Sequence, residues 1–220
     1  MIVIFSYNRP GKLKKIIKHL KDTTDHDLFV VDDGSDFDMS MFDVEYSQNV
    51  SNGGKMNYWK QWNIALNHCK ESTNETFIFM PDDFMDLDVK RIEQWIAELD
   101  NGKPYLVNLI NDGRLECFQP CVPHPVQINN EGAHRVGFTD CGFFCNWRTL
   151  QLLNWNIIEI AKWRWENNPD LSSGVGQQLS KRLFGKVSMY VPNVSFAHHG
   201  NHESKMHPKE RMKTPLISRH

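Results

Sequence analysis

No apolar run in these 220 residues approaches the roughly 20 needed to span a bilayer as a helix, so a helical membrane anchor is not expected. An excess of one charge sign is missing too. The formal net charge is only -2, which gives no global reason for a polyanion or a membrane surface as partner and leaves only local patches. Cysteine is scarce and odd in number, five in all, which fits a reducing compartment better than a disulfide framework. The opening "MIVIFSYNRPGK" has no basic region ahead of its apolar run of five, so it does not read as a secretory signal. The expected location is the cytoplasm. Internal repeats, low-complexity tracts and an obvious interdomain linker are absent as well. What is present, 40% hydrophobic and 24% charged residues, is the composition of a soluble globular protein large enough to bury a real core.

The first half alternates β-rich runs with helical patterns. "IVIF" (2 to 5) reads as a buried strand, followed by "GKLKKIIKHLKD" with Leu13, Ile16, Ile17 and Leu20 at helical spacing. "LFVV" (28 to 31), a weaker "DVEY" (43 to 46) and "TFIFM" (76 to 80) read as strands. Helices are expected over "KMNYWKQWNIALNHC", with Met56, Trp59, Ile64, Ala65 and Trp62 inward, and over "DVKRIEQWIAEL" (88 to 99). This alternation implies a parallel α/β sheet, in which ligands gather at the carboxyl ends of the strands. Beyond residue 103, "PYLVNLI", "RLECF" and "GFTDCGFFCN" read as strands separated by Pro, Gly and Asn loops, a mixed extension of the sheet. A Trp-rich helical stretch over "WRTLQLLNWNIIEIAKWRW", a helix in "GVGQQLSKRLFG" and two short strands broken at Pro192 complete the pattern. The expected organisation is one domain over 1–200, in two halves (1–100 and 101–200), and a basic tail or lid over 201–220.

Three strand ends carry polar clusters. "FIFMPDDFMDLD" runs four apolar residues into a proline and then four aspartates in seven positions. Carboxylates so crowded resist ionising together unless a cation or hydrogen-bond donors offset them. Asp86 and Asp88 suit the start of the next helix. Asp82 and Asp83 instead suit Mg²⁺ or Mn²⁺, held by one or two carboxylates while substrate phosphate fills other positions. "SYNR" offers Ser6, Tyr7, Asn8 and Arg9, a set that suits a base and a phosphate. "DDGSD" offers Asp32 and Asp33 as acceptors for base N–H or ribose hydroxyls. "NGGK" (52 to 55) has the makings of a backbone phosphate cradle with Lys55 as counter-charge. A nucleotidyltransferase would want a Gly-rich loop directly after the first strand, and "SYNRPGK" does not supply one.

In that order, "IVIFSYNRPGKLKKIIKHL", "LFVVDDGSD", "NVSNGGKMNYWKQWNIAL" and "FIFMPDDF" resemble the nucleotide-sugar half of the GT-A glycosyltransferases, the large inverting, family 2-like group. The resemblance implies a Rossmann-like GT-A fold, a mixed sheet flanked by helices. It implies that Tyr7 flanks the nucleotide base with Ser6, Asn8 and Arg9 around it. Asp32 and Asp33 then touch base and ribose, and Asn52, Gly53, Gly54 and Lys55 lie near ribose and diphosphate. Asp82 and Asp83 match the family's DXD-type motif, whose second acid binds the metal. "FTDCGFFCNWRTL" and "GVGQQLSKRLFGKVSMYVPNVSFAHHG" are similar to the floor of the donor-sugar site and to the closing helix with its final histidine. That helix usually begins with an acidic pair bearing the general base, and here Val175 and Gly176 stand at those positions.

Inverting transfer needs a carboxylate within reach of the attacking hydroxyl. Asp140 is the first candidate and Asp170 the second. In related enzymes a histidine near the end completes the metal site, and the alternation "VSFAH" selects His198, an imidazole ligand that favours Mn²⁺ over Mg²⁺. Cys117 and Cys121, then Cys141 and Cys145, form C-x₃-C pairs looser than zinc knuckles, so buried free thiols are expected. Trp155, Trp163 and Trp165, interleaved with Lys162 and Arg164, suit a sugar ring or a base near phosphate. The reading is a metal-dependent glycosyltransferase whose donor is a nucleoside diphosphate sugar, a UDP-sugar first. Its acceptor is a glycan or a hydroxymethylated base in viral DNA. The competing reading is a non-catalytic sugar-nucleotide or glycan-binding module that has lost its base.

Overall fold

A computed structural model describes residues 1–113, 123–140, 142–166, 168–169 and 171–199. The elements are β1 (Ile2–Ser6), α1 (Pro10–Thr23), β2 (Leu28–Asp32), β3 (Glu45–Gln48), α2 (Gly54–Glu71), β4 (Thr76–Pro81), β5 (Phe84–Met85), α3 (Val89–Leu99) and β6 (Tyr105–Asn108). They continue with β7 (His124–Ile128), β8 (Glu131–Val136), β9 (Phe143–Asn146), α4 (Trp147–Leu152), α5 (Val175–Leu183), β10 (Ser188–Pro192) and β11 (His198–His199). Among the described residues nine strands form one sheet in the order β3-β2-β1-β4-β9-β6-β10-β8-β7, and β11 pairs with β5 in a separate ribbon. β3, β2, β1 and β4 run parallel, β9 runs antiparallel to both β4 and β6, and β8 runs antiparallel to β10 and β7. The expected α/β architecture, parallel in its first half and mixed in its second, is the one observed.

Strand β1 is buried throughout and apolar from Ile2 to Phe5 because both of its faces are covered. Val3 and Phe5 join a core with Tyr58, Trp62, Ala65 and Leu66 of α2, Leu150 of α4 and Leu179 of α5. Ile2 and Ile4 join a second core with Leu13, Ile16, Ile17 and Leu20 of α1 and Ile92, Trp95 and Leu99 of α3. The result is three layers, with helices on both faces of the sheet.

The differences from expectation have identifiable causes. Helix α2 buries Tyr58, Gln61, Trp62, Ala65, Leu66 and Cys69 and leaves Met56 exposed. Its true apolar stripe passes through a polar residue, Gln61, which hydrophobicity alone does not select. The β7–β8 hairpin lies where loops were expected, and Asn129 and Asn130 both take positive φ, 51° and 61°. That pair meets the demand of a two-residue hairpin turn, which asparagine tolerates better than most residues. The Trp-rich segment is α-helical only over α4, because Asn154 and Trp155 turn left-handed at φ 52° and 53°, and it takes up a short 3-10 turn over Lys162–Trp165. Asp88 caps α3 by accepting from Arg91 N, whereas Asp86 sits at φ 53° in the turn before it. The expected strand "RLECF", three of the four paired cysteines (Cys117, Cys121 and Cys141), Asp170 and the tail over 201–220 lie outside the described residues. Cys145 is buried as a free thiol, as is Cys69. Among the described residues no helix is long and apolar enough to cross a membrane.

Candidate active site

Because β2, β1 and β4 are parallel neighbours, their carboxyl ends set three loops side by side: 33–36, 7–9 and 82–83. Each loop is fixed by bonds to the next. Asn8, left-handed at φ 49°, donates its backbone N–H to Ser35 Oγ at 2.7 Å. Its side chain donates to Asp36 Oδ2 and accepts from Asp36 N, both at 2.9 Å. Asp32, fully buried, accepts from Ser35 N at 2.8 Å and from the Ser35 hydroxyl. The surface at these strand ends is thus built by loop-to-loop bonds.

Asp33 is the hub of the adjoining corner. Its carboxylate accepts from Gly53 N and Gly54 N at 2.9 Å, Gln61 Nε2 at 2.8 Å and Asn49 Nδ2 at 3.1 Å. Burial pushes this carboxyl up, with the two glycine N–H groups and Asn49 opposing. The glycine pair was expected to present its N–H groups to a phosphate, and the structure turns them onto Asp33 instead. Gly53 is close-packed all the same, since a Cβ there would lie 2.9 Å from Asn57 Cβ and 3.1 Å from Asp33 Oδ1. Asn52 is exposed, and Lys55 Nζ donates to the carbonyl of Pro169, tying the start of α2 to the segment before α5. Asn49 and Gln61 escaped the sequence reading, although a glutamine on the buried face of α2 was a signal.

The acidic pair divides by role. Asp82 Oδ2 accepts from Ser6 Oγ at 3.1 Å and Tyr7 N at 3.2 Å, while Oδ1 accepts from Arg9 Nη1 at 2.9 Å. Burial pushes the Asp82 carboxyl up, and Arg9 and the Tyr7 N–H pull the other way. Both its oxygens therefore brace the 6–9 loop. Asp83, 3% exposed, directs Oδ2 to within 3.4 Å of Arg9 Nη1 and 3.9 Å of His199 Nε2.

The histidine beside Asp83 is His199, not His198. In the β5–β11 ribbon His199 pairs with Phe84 and packs on its ring, 5.5 Å between centroids, while His198 pairs with Met85 and is exposed. A two-residue ribbon has its own register, which the longer alternation through Val194 and Phe196 does not carry across. The preceding segment is pinned: Phe196 packs edge-on against Trp95 and Phe144, and the Arg91 guanidinium lies 4.3 Å from its ring centre. Arg91 also donates to the carbonyls of Ser195 and Val194.

Among the described residues no group of three or more His, Cys, Asp or Glu side chains converges on one point. The pair Asp83 and His199 still fits a divalent ion. Two donors each about 2.1 Å from one ion stand about 3 to 4 Å apart, and such ions commonly take their remaining positions from phosphate and water.

The opposite wall comes from the second half. Strand β9 enters beside β4, with Phe79 opposite Phe143, so the residues before it reach the same edge of the sheet as Asp83. Gly142 makes room for the Phe84 ring, since a Cβ there would meet Phe84 Cε2 at 2.3 Å. Thr139 is locked by Ser180 Oγ on its N–H (2.8 Å) and by its own hydroxyl on Asn108 Oδ1 (2.7 Å), and exposed Asp140 follows it. A Cβ on Gly176 would lie 3.0 Å from Thr139 O and 3.2 Å from Asp140 Oδ1. The first turn of α5, which carries no acid, thus rests against the Asp140 carboxylate.

Of the three tryptophans, Trp165 is buried and donates to the Leu171 carbonyl, and Trp155 packs edge-on against Phe77. Trp163 is 70% exposed. Its neighbour Arg164 lies over Gly174, at the start of α5, and donates to Gln177 Oε1 at 3.3 Å.

No family model matches the sequence, and no curated protein matches it. Solved structures do match in fold. A mannosyltransferase from Pyrobaculum calidifontis in complex with GDP-Man and Mn²⁺ superposes with a TM-score of 0.52 at 10% identity, over 86% of this chain and 55% of its own. The present chain therefore spans about half the length of that enzyme. Glucosyl-3-phosphoglycerate synthase from Mycobacterium tuberculosis, in complex with phosphoglyceric acid, gives 0.54 at 15% identity, over 91% of this chain and 71% of that one. The same synthase with Mn²⁺, UDP-Glc and phosphoglyceric acid gives 0.54 at 13% identity over the same shares. Sheet order, loop placement and these superpositions together show that the chain has the GT-A fold of nucleotide-sugar glycosyltransferases.

Proposed function

We propose that the protein is a metal-dependent glycosyltransferase that moves a sugar from a nucleoside diphosphate sugar to an acceptor hydroxyl with inversion. The observation that carries the reading is the meeting of Asp83 and His199 at the end of β4, beside the 7–9 and 33–36 loops. A divalent ion, Mn²⁺ before Mg²⁺ given the imidazole, neutralises charge on the leaving diphosphate when bound there. Asp83 and His199 hold it, the half-buried Tyr7 flanks the base, and the loops bound to Asp32 and Asp33 shape the ribose side. A UDP-sugar is the first donor to test, and GDP-mannose follows from the mannosyltransferase.

Asp140 is assigned the general base. It is exposed and stands against the α5 turn where related enzymes carry their acid, which supports a carboxylate supplied from the 139–140 turn instead of from the helix. Asp170, outside the described residues, is the second candidate. Exposed Trp163 between Lys162 and Arg164 supports an acceptor with a stackable ring, a glycan or a hydroxymethylated base in viral DNA.

The test is release of nucleoside diphosphate from a panel of donors with Mn²⁺, alone and with an oligosaccharide or hydroxymethylated DNA. Asp83→Ala is expected to stop both hydrolysis and transfer. Asp140→Asn is expected to lower transfer about 10²- to 10⁴-fold with donor affinity kept. Donor binding without any turnover in the wild type would instead identify a sugar-nucleotide-binding module.

A further inference from the structure

Arg9 stands where a second cation would have to enter. Asp82 and Asp83 are adjacent and buried at 5% and 3% exposure, and Arg9 Nη1 bridges them at 2.9 and 3.4 Å. Two carboxylates in so dry a place cannot both stay charged without such a partner. The shared oxygen matters most: Asp83 Oδ2 is the atom near Arg9 and also the atom that faces His199. An ion held by Asp83 and His199 therefore competes with the guanidinium for one oxygen.

We propose that Arg9 is the resident counter-charge of the metal site, so that the divalent ion enters with the nucleotide diphosphate and binds poorly by itself. The anchor is Asp82, whose second oxygen is held by Ser6 and Tyr7, and the longer contact to Asp83 is the one that gives way. The Arg9 backbone is fixed as the residue before Pro10, its carbonyl accepting from Lys12 N and Leu13 N, so only the side chain has to move. A guanidinium turned from Asp83 presents a planar fork of donors that matches phosphate oxygens. The diphosphate thus supplies both the missing ion ligands and a new partner for Arg9. This inference rests on the glycosyltransferase reading of Asp83.

The test is Mn²⁺ binding to the full chain, followed by electron paramagnetic resonance with and without UDP. Wild type is expected to bind Mn²⁺ weakly alone and far more tightly with UDP. Arg9→Gln is expected to bind Mn²⁺ alone about tenfold more tightly, because a competing positive charge is gone, and to bind UDP less well. Arg9→Lys, which keeps the charge, is expected to stay near wild type for the ion alone. An Arg9→Gln protein with wild-type Mn²⁺ affinity, or an Arg9→Lys protein as tight as Arg9→Gln, overturns the inference. Should Arg9→Gln not fold, the ¹⁵Nε resonance of Arg9 in wild type decides: it must shift when Mg²⁺ and UDP are added together, and an unmoved signal in the bound complex overturns the inference. Wild type that binds no Mn²⁺ and UDP under any condition defeats the glycosyltransferase reading itself, a different result from an insensitive Arg9 variant.

Discussion

At the scale of single residues, neighbours in sequence have separate tasks. Asp82 braces the 6–9 loop and Asp83 approaches His199; His198 is exposed and His199 is turned to Asp83. His199→Ala is therefore expected to weaken Mn²⁺ binding in the presence of UDP about tenfold or more, while His198→Ala leaves it within about twofold of wild type, as expected of an exposed side chain; titration of the ion measures both. Asp33 gives a pH signature. Its folded pKa lies above its ordinary value because of burial, so the native state holds this proton more firmly than the unfolded chain does. The resulting stability is complete below the unfolded pKa and is lost as pH rises through the folded one. The stability of wild type minus that of Asp33→Asn, from urea midpoints, is expected to fall as pH rises from about 3 to about 7; a constant difference contradicts the shift. The type of residue at each strand end was legible in the sequence. Which oxygen faces which donor was not, because Asp33 is satisfied by Asn49, Gly53, Gly54 and Gln61, partners up to 28 positions away.

At the scale of elements, the start of α5 is the feature that most distinguishes this chain from the pattern it resembles. Gly176 is the residue that lets the helix approach the 139–140 turn, and its substitution forces contact with a backbone carbonyl that has little freedom to yield. Gly176→Ala is expected to cost about 1 to 3 kcal/mol of stability and to lower transfer more than donor hydrolysis, since Asp140 moves and Asp83 does not. Thermal melts and the two assays together check this. Strands and helices of the first half were readable because hydrophobic runs and helical stripes there are long. The β7–β8 hairpin was not, because only Ile128, Ala133 and Val136 of its strands are buried, too few for a sustained apolar pattern. Its Asn129-Asn130 turn was the available signal. The short α4 was overestimated because apolar residues at helical spacing continue past the point where Asn154 and Trp155 reverse the backbone.

At the scale of the whole molecule, helices cover both faces of the sheet, and the polar 7–9, 33–36 and 82–83 loops all follow the carboxyl ends of its parallel strands. Burial pushes the Cys69 thiol up to about 12 and Cys145 well above its ordinary value. Both thiols are expected to resist alkylation at about pH 8 and to react at once in denaturant, which peptide mass spectrometry of the labelled protein reads directly. The overall fold followed from the order of strands and helices. The acceptor did not, since the wall opposite the donor loops depends on which tryptophan the packing leaves outside, and only Trp163 among Trp155, Trp163 and Trp165 is left well exposed.

Among the described residues the β5–β11 ribbon consists of two residue pairs that join distant parts of the chain. So short a ladder has little stability of its own and opens easily. Anything that links Asp83 to His199 clasps it from the side, and its amides then have to wait for the clasp to release before they meet solvent. Hydrogen–deuterium exchange at Phe84, Met85, His198 and His199 is therefore expected to slow when Mn²⁺ and UDP are bound, while exchange in β1 and β4 stays unchanged. The ribbon serves as a built-in gauge of occupancy, readable without any knowledge of the sugar or its acceptor.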